Sequence, residues 1–522
     1  MDSRWNILSY LKMEIWLIGF ALLIVYQILR WVEFWRLSRK FNTKPIKIKH
    51  IDHIWGFYNW IPAVKWQNSG RILEKDEENW QQQSRKSNDT ILTYIYQILG
   101  RDLIITRDPE NIKAMLATQF NDFNLGSRPA ITHPLIGAGI FGLDGEGWKD
   151  SRAMLRPQFV REQIAHVQML EPFVVKLATI IQSFDGPFDL QSLFYRFTVD
   201  TATKFLFGSS VDALGEFDKN EQDINLVNLS NFAESFNAAT KTVALRAVAQ
   251  SFYWLVNSKK FRKNCATIHQ FADVYVQKAL NMSEEELKNQ DGYTFLFELV
   301  EQTRNPRLIR DQALNILLAG RDTTAVTMSV LFYELARNEP IWLKLRQEID
   351  DNFGIDERAR IDDINFESLK KCVYLQAIIS ESLRMYPVVP KNIRTATKNT
   401  TLPRGGGPEG LDPILIRKGD TILYSVYSLQ RLPEFHGEDS NQFRPERWFE
   451  PKYKKIGWAY IPFNGGPRIC LGQQFALTEI AYVVTRLAQM FKTLKSFDEE
   501  YPPLKNSDIT LSLFNGCNIS MS

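Results

Sequence analysis

The sequence predicts a mainly α-helical protein with a minor β part, set behind an amino-terminal membrane anchor. Three observations carry this. A proline-free, largely apolar segment runs from Leu308 to Asn338. Tyr374 to Met385 and Gln473 to Phe491 also read as helices, the latter repeating apolar residues at a helical period. Strand-like pieces are short and few, Asp102–Ile105 and Thr421–Val426 being the clearest.

From the amino terminus, residues 15–32 form an apolar run close to the lower limit of about 17 residues for a spanning helix. Trp16, Trp31 and Trp35 supply aromatic belts at both interfaces. Bulky and charged residues follow the run, so it lacks the small-residue cleavage site of a signal peptide. Arg30, Arg36, Arg39, Lys40, Lys44, Lys47 and Lys49 follow it, opposed only by Glu33, which keeps that side cytosolic. The expected organisation is a short luminal tail (1–14), a transmembrane signal anchor (15–32), a basic linker (33–60) and one catalytic domain (61–522). The expected place is the endoplasmic reticulum membrane, spanned once, with the catalytic domain cytosolic. Asn88, Asn399 and Asn518 then stay unglycosylated despite their acceptor patterns.

Composition narrows the function. No Pro/Gly/Ser-rich linker divides the 522 residues, and a net charge of +3 from 63 basic and 60 acidic residues gives no nucleic-acid footprint. Four scattered cysteines are too sparse for a disulfide framework or a zinc ribbon. The 34 Phe, 18 Tyr and 13 Trp imply a large apolar interior or an apolar ligand.

Farther along, Ser283 and Glu286 have capping-box spacing. The 308–338 helix is apolar nearly all round, hence buried, and only Arg321, Asp322, Thr323 and Thr324 interrupt it. Either those polar residues are used by something, or the helix breaks and Asp322 or Thr323 caps a new one at Ala325. The 374–385 helix stops ahead of Pro387, which pushes its predecessor out of helical space. Cys470 lies in a glycine-rich loop beside Arg468, just ahead of the last helix. A helix amino terminus and a cation both favour thiolate over thiol. Glycines at 465, 466 and 472 leave the backbone open to a flat cofactor. Cys265, Cys372 and Cys517 read as small buried hydrophobes.

The stretch Phe463-x-x-Gly466-x-Arg468-x-Cys470-x-Gly472 resembles the haem-binding signature of the cytochrome P-450 superfamily. Its companions agree: Glu381-Ser-Leu-Arg384, then Phe443-Arg-Pro-Glu-Arg447-Trp, the Ala319-Gly-Arg-Asp-Thr-Thr324 segment, and Trp148-Lys-Asp-Ser-Arg152. The resemblance covers essentially the whole chain after the anchor and implies the P-450 fold, a large helical domain with a small β part. It makes Cys470 the axial ligand to the iron of haem b, with Phe463 packed beside it. Arg468, Trp148, Arg152 and, with a looser match, Arg394 become propionate contacts. Gly320 leaves room for O2, and Thr323 and Asp322 deliver protons. Glu381, Arg384 and Arg447 become a buried structural triad. Gln430-Arg431 departs from the His-Arg frequent in relatives, which puts one propionate contact in doubt.

The implied activity is a monooxygenase drawing NADPH electrons through a partner reductase, docked on a basic face that includes Lys149, Arg152 and Arg156. Longer stretches, among them 144–159, 315–324, 402–408 and 470–477, resemble the fungal branch that hydroxylates alkanes and fatty acids at terminal carbons. Ile140, Phe141, Val388, Val389, Leu513 and Phe514 are candidate pocket residues for such an apolar substrate. Two alternatives stand beside this reading. One is tailoring oxidation of a polyketide or terpenoid in fungal secondary metabolism. The other is a haem-thiolate isomerase or dehydratase that needs no reductase, against which Thr323 and Asp322 argue.

Overall fold

The computed structural model describes residues 28–50, 57–98, 101–159, 167–215, 224–283 and 294–522, with a few isolated positions before residue 28 and at 286. Residues 1–16, and with them the expected luminal tail and the start of the anchor, lie outside the described residues. Residues 28–40 are helical, and Ile28, Leu29, Trp31, Val32 and Trp35 are exposed. Among the described residues, no helix is long and apolar enough to cross a membrane.

Helices dominate, and seven of them position the site: α1 (Arg128–Ile136), α2 (Gly145–Leu155), α3 (Leu190–Phe207), α4 (Ile224–Val248), α5 (Pro306–Leu335), α6 (Val373–Met385) and α7 (Gln473–Met490). The helices expected at 308–338, 374–385 and 473–491 are each present to within a few residues. α5 starts where Asn305 accepts hydrogen bonds from the backbone N–H groups of Arg307 and Leu308, with Pro306 in the first turn. At 30 residues it is about 45 Å long. It does not break at Asp322 or Thr323. The Thr323 hydroxyl donates to the Ala319 carbonyl one turn back, 2.6 Å away, instead of capping a new helix. α7 ends at Met490 because Phe491 is already extended. The expected capping box forms: the Ser283 N–H donates to Glu286 at 2.7 Å and the Glu286 N–H to the Ser283 hydroxyl at 3.2 Å.

The β part is larger than the sequence suggests. One sheet holds β1 (Lys49–His50), β2 (Thr93–Ile98), β3 (Arg101–Thr106), β4 (Phe123–Asn124), β5 (Lys391–Ala396) and β6 (Thr421–Ser425), in the order β1-β2-β3-β6-β5-β4. The two strands foreseen from sequence are neighbours here, β3 pairing parallel to β6 from Leu103↔Thr421 to Thr106↔Tyr424. β5 runs antiparallel to β6 and sets Arg394 opposite Ile422.

The core lies on both sides of the middle of α5. One cluster gathers the half of α5 from Ala325 to Ala336 with α6 and much of α7. A second gathers Ile309 to Leu318 of α5 with Phe205–Phe207 of α3 and Phe232, Phe236, Ala239 and Val243 of α4. The polar interruption Ala319–Thr324 therefore falls at the seam between two apolar cores.

Candidate haem site

On α5, residues flanking the seam are buried, while Ile316, Ala319, Gly320 and Thr323 are only half-buried. Spaced by three, four and seven, they form one helix face, open along an otherwise enclosed helix. A side chain added at Gly320 would meet nothing within 4 Å. Asp322 is not on that face. It is buried, its Oδ1 stands 3.2 Å from Arg321 Nη1, and that oxygen makes no hydrogen bond. Burial raises its pKa and the Arg321 charge only partly opposes this, so the side chain is driven towards the neutral acid. The sequence brings acid and alcohol together as neighbours; the structure separates them onto different faces.

The cysteine loop packs near the same helix, with Leu471 and Phe475 against the cluster that includes Leu317 and Leu318. The Cys470 N–H donates to the Phe463 carbonyl at 3.0 Å. Its thiol is solvent-accessible, yet surrounding protein desolvates it enough to raise its pKa; the Gly472 N–H and the Arg152 charge pull the other way. An accessible sulfur in a desolvated place marks the floor of a recess. Two expectations change here. The cation acting on the sulfur is Arg152, not Arg468, and in the chain alone burial outweighs both it and the helix terminus. The glycines also differ in purpose. Side chains at 465 and 466 would strike the Trp458 ring at 2.5 Å and the Leu116 carbonyl at 1.8 Å, so protein packing demands those two. Gly472 would meet only Phe159, at 3.6 Å, and remains the one whose bareness suits a cofactor.

At the edge of the recess cations crowd together. Arg468 donates to the Leu143 carbonyl at 2.9 Å and to Asp144 at 2.7 Å, and its guanidinium lies 4.5 Å from the centre of the Trp148 ring. Arg152 donates to the Ile469 carbonyl at 3.0 Å and stands 5.9 Å from that ring. Burial first, then repulsion from Arg394, lowers the pKa of Arg128 to about 10. Burial and the charges of Arg394 and Arg152 lower that of Arg468 to about 10, Asp144 opposing. Like charges held in desolvated surroundings call for anions. Asp144 is the one carboxylate that bears on both arginines. The recess thus fits haem on three counts: a bare helix face, an accessible sulfur, and clustered guanidiniums, of which only Arg468 is paired with a carboxylate, Asp144, among the described residues, to receive two propionates. Arg128 was not foreseen, since it belongs to no motif spacing.

Behind the site, Glu381, Arg384 and Arg447 are all completely buried. Arg384 grips Glu381 with two bonds of 2.8 and 2.9 Å, and Arg447 adds one of 2.8 Å. Burial pushes Glu381 up, but the two arginines overcome it and its pKa falls. Gln430 is a clamp rather than a propionate contact. Its amide N–H groups donate to the Leu383 and Arg384 carbonyls at 3.0 Å, and its oxygen accepts from the Ile461 N–H at 2.9 Å. It ties the triad to the approach of the cysteine loop. Of the pocket candidates, Val388 and Leu513 are buried, Ile140 is half-buried, and Phe141, Val389 and Phe514 are exposed.

The sequence reading also missed Glu479, nine residues after Cys470 on the buried face of α7. Its carboxylate accepts from the Thr201 hydroxyl at 2.9 Å and from the Thr324 side chain. A charge on an apolar helix face was the available signal. Burial lifts its pKa to about 7, against about 4.3 for an exposed glutamate. A raised carboxyl pKa means that folding favours the protonated form, so stability falls as pH rises from about 4.3 to about 7 and is level above. Glu479→Gln removes that penalty. It is expected to be more stable than the parent by up to ~3 kcal/mol at pH 8, with the gap closing towards pH 5, in denaturant unfolding at both pH values.

Comparison with known proteins agrees with the geometry. Residues 62–513 match the family model described as Cytochrome P450. The chain is 51% identical over 506 residues to cytochrome P450 52A9 of Candida maltosa, covering 96% of each protein. It is 50% identical over 507 residues to cytochrome P450 52A12 of Debaryomyces hansenii, again 96% of each. With cytochrome P450 52A1 of Candida tropicalis it shares 50% over 494 residues, 93% of this chain and 90% of that one. A match of that extent, over a chain with an accessible cysteine in an arginine-lined loop and a helix with one bared face, establishes that the chain belongs to the cytochrome P450 family and is a haem-thiolate monooxygenase.

Proposed function

We propose that this enzyme hydroxylates the terminal carbon of fatty acids or alkanes, anchored once in the endoplasmic reticulum membrane and supplied with NADPH electrons by a partner reductase. The observation that carries the substrate reading is the open face of α5. Ile316, Ala319 and Gly320 offer hydrocarbon surface and Thr323 a single hydroxyl. Such a wall suits a saturated chain. The stretches that resemble the alkane- and fatty-acid-hydroxylating branch point the same way.

When bound, haem with a thiolate ligand activates O2 and inserts one oxygen atom into a C–H bond, the other leaving as water. In this reading Cys470 supplies the thiolate; the Gly472 N–H faces the sulfur, and the loop is closed by the bond from the Cys470 N–H to the Phe463 carbonyl. Arg128, Arg152, Arg394, Arg468 and Trp148 hold the propionates. The Thr323 hydroxyl lies on the open face, where it would pass protons to the reacting region, and Asp322 is buried on another face against Arg321. Thr323→Ala is expected to keep haem yet lose roughly ten-fold or more in product formed per NADPH, with peroxide appearing instead. Peroxide and product assays at matched haem content check this, and unchanged coupling removes the role from Thr323.

The anchor reading rests on the exposed apolar side chains of residues 28–35 and the basic residues after them, and it includes the domain limits at 14, 32 and 60. Glycan on Asn88, Asn399 or Asn518 in a eukaryotic host would reverse the topology. Spin-state titrations of the haem-loaded protein with long-chain fatty acids, alkanes, polyketides and terpenoids test the substrate. A response confined to the last two classes would move the enzyme to secondary metabolism. Product formed without reductase would make it an isomerase or dehydratase.

A further inference from the structure

Ahead of its open face, α5 carries two buried polar residues that the reaction does not use. Asp311 and Asn315 are almost wholly inaccessible. Both are bonded to the backbone of one segment, residues 136–141. Asp311 Oδ2 accepts from the Ala138 N–H at 2.9 Å. Asn315 Nδ2 donates to the Ile136 carbonyl at 2.9 Å, and its Oδ1 accepts from the Phe141 N–H at 3.2 Å. The segment lies so flat on these groups that it tolerates no side chain there. A Cβ at Gly137 would sit 2.1 Å from the Asp311 carboxylate, and one at Gly139 2.2 Å from the Asn315 amide. Arg310, 3.0 Å from Asp311, balances its charge.

The position of this latch matters. Asn315 directly precedes Ile316, the first residue of the open face, and Gly320 follows about 7.5 Å farther along the axis. Between the latched groups the segment carries Ile140, packed with Ile316 against the same apolar cluster. The latch therefore sets where Ile140 stands relative to the open face that carries Gly320 and Thr323.

We propose that Asp311 and Asn315 are positioning residues which, by pinning the 137–141 loop to α5, determine the carbon of the substrate chain that is attacked. This rests on the hydrocarbon-chain reading above. Terminal methyl C–H bonds are stronger than in-chain methylene C–H bonds, so attack at the terminus requires walls that present the methyl group and hold the methylenes away. A wall displaced by about 1 Å is enough to change a rate by orders of magnitude.

The test uses haem-loaded enzyme with reductase, NADPH and dodecanoic acid, comparing the parent with Asn315→Leu, Asn315→Asp and Gly139→Ala. Products are assigned by carbon position, and haem content and the dodecanoate-induced spin-state shift are measured in parallel. Asn315→Leu and Gly139→Ala are expected to change the ratio of terminal to in-chain hydroxylation by at least about five-fold. Asn315→Asp, which keeps an acceptor for Phe141, should lie in between. A merely structural role lowers the unfolding temperature and leaves the ratio alone, so an unchanged ratio in haem-replete Gly139→Ala overturns the proposal even if Asn315→Leu fails to fold. If the parent neither binds nor oxidises dodecanoate, the substrate reading has failed by itself. The latch is then read from hydrogen exchange of the Ala138 and Phe141 amides, and exchange as slow in the variants as in the parent overturns it.

Discussion

Cys470→Ala is expected to remove the thiolate-type absorption with carbon monoxide completely and to reduce hydroxylation to background, while the helical content of the protein persists. The loop should survive the change, because its closing bond joins the Cys470 N–H to the Phe463 carbonyl and does not involve the sulfur. No other cysteine can substitute. Cys265 and Cys372 are buried among apolar side chains, and desolvation pushes their thiols up to about 11 and about 12. Cys517 is buried in the large cluster, and its pKa is pushed higher still by burial. An iron ligand must be ionised and reachable, and these three are neither. Spectroscopy of the reduced, carbon monoxide-treated variant, with circular dichroism as the folding control, checks the prediction. Persistence of the thiolate band would mean that another sulfur holds the iron.

Glu381→Ala is expected to have the next largest effect, on assembly rather than on chemistry. Besides Arg384 and Arg447, the carboxylate accepts from the Arg444 N–H at 3.0 Å and the Trp448 indole at 3.2 Å. Alanine leaves the inaccessible Arg384 without its carboxylate and Arg447 with only Asp439, 3.2 Å away. Removing one partner of such a buried pair costs about 3–5 kcal/mol. That is a large fraction of a typical total stability of about 5–15 kcal/mol. The variant should accumulate mainly as insoluble or haem-deficient protein, seen in haem content per chain and in thermal unfolding of any soluble fraction. A soluble variant with full haem and the parent's unfolding temperature would show that the surrounding carbonyls, with Asp439 and Tyr453, satisfy the arginines.

Much of this site could be read from the sequence because its motifs are local. The cysteine loop, the E-x-x-R pair and the polar break in an apolar helix each lie within ten residues and report their own chemistry. What was not legible depends on contacts between distant segments. The pairing of Leu103 with Thr421, the arrival of Arg128 beside Arg394 and Arg468, and the Gln430 clamp all join parts with no shared spacing. Short strands completed by such partners carry too little period of their own to stand out, so the sheet looked smaller than it is. The purpose of Gly465 and Gly466 was misjudged for the same reason, since Trp458 and Leu116 cannot be placed from the loop's own residues. The acid and alcohol of α5 read as a pair in the sequence, but adjacency turns a helix by about 100°, which puts them on different faces.

The tight seat of Gly466, held at φ +67° against the Leu116 carbonyl, bears on the order of events during biosynthesis. The loop that offers the sulfur closes on a surface made hundreds of residues earlier, so the prosthetic group has nowhere to lodge until nearly the whole polypeptide has left the ribosome. Contacts so remote along the chain form late and slowly.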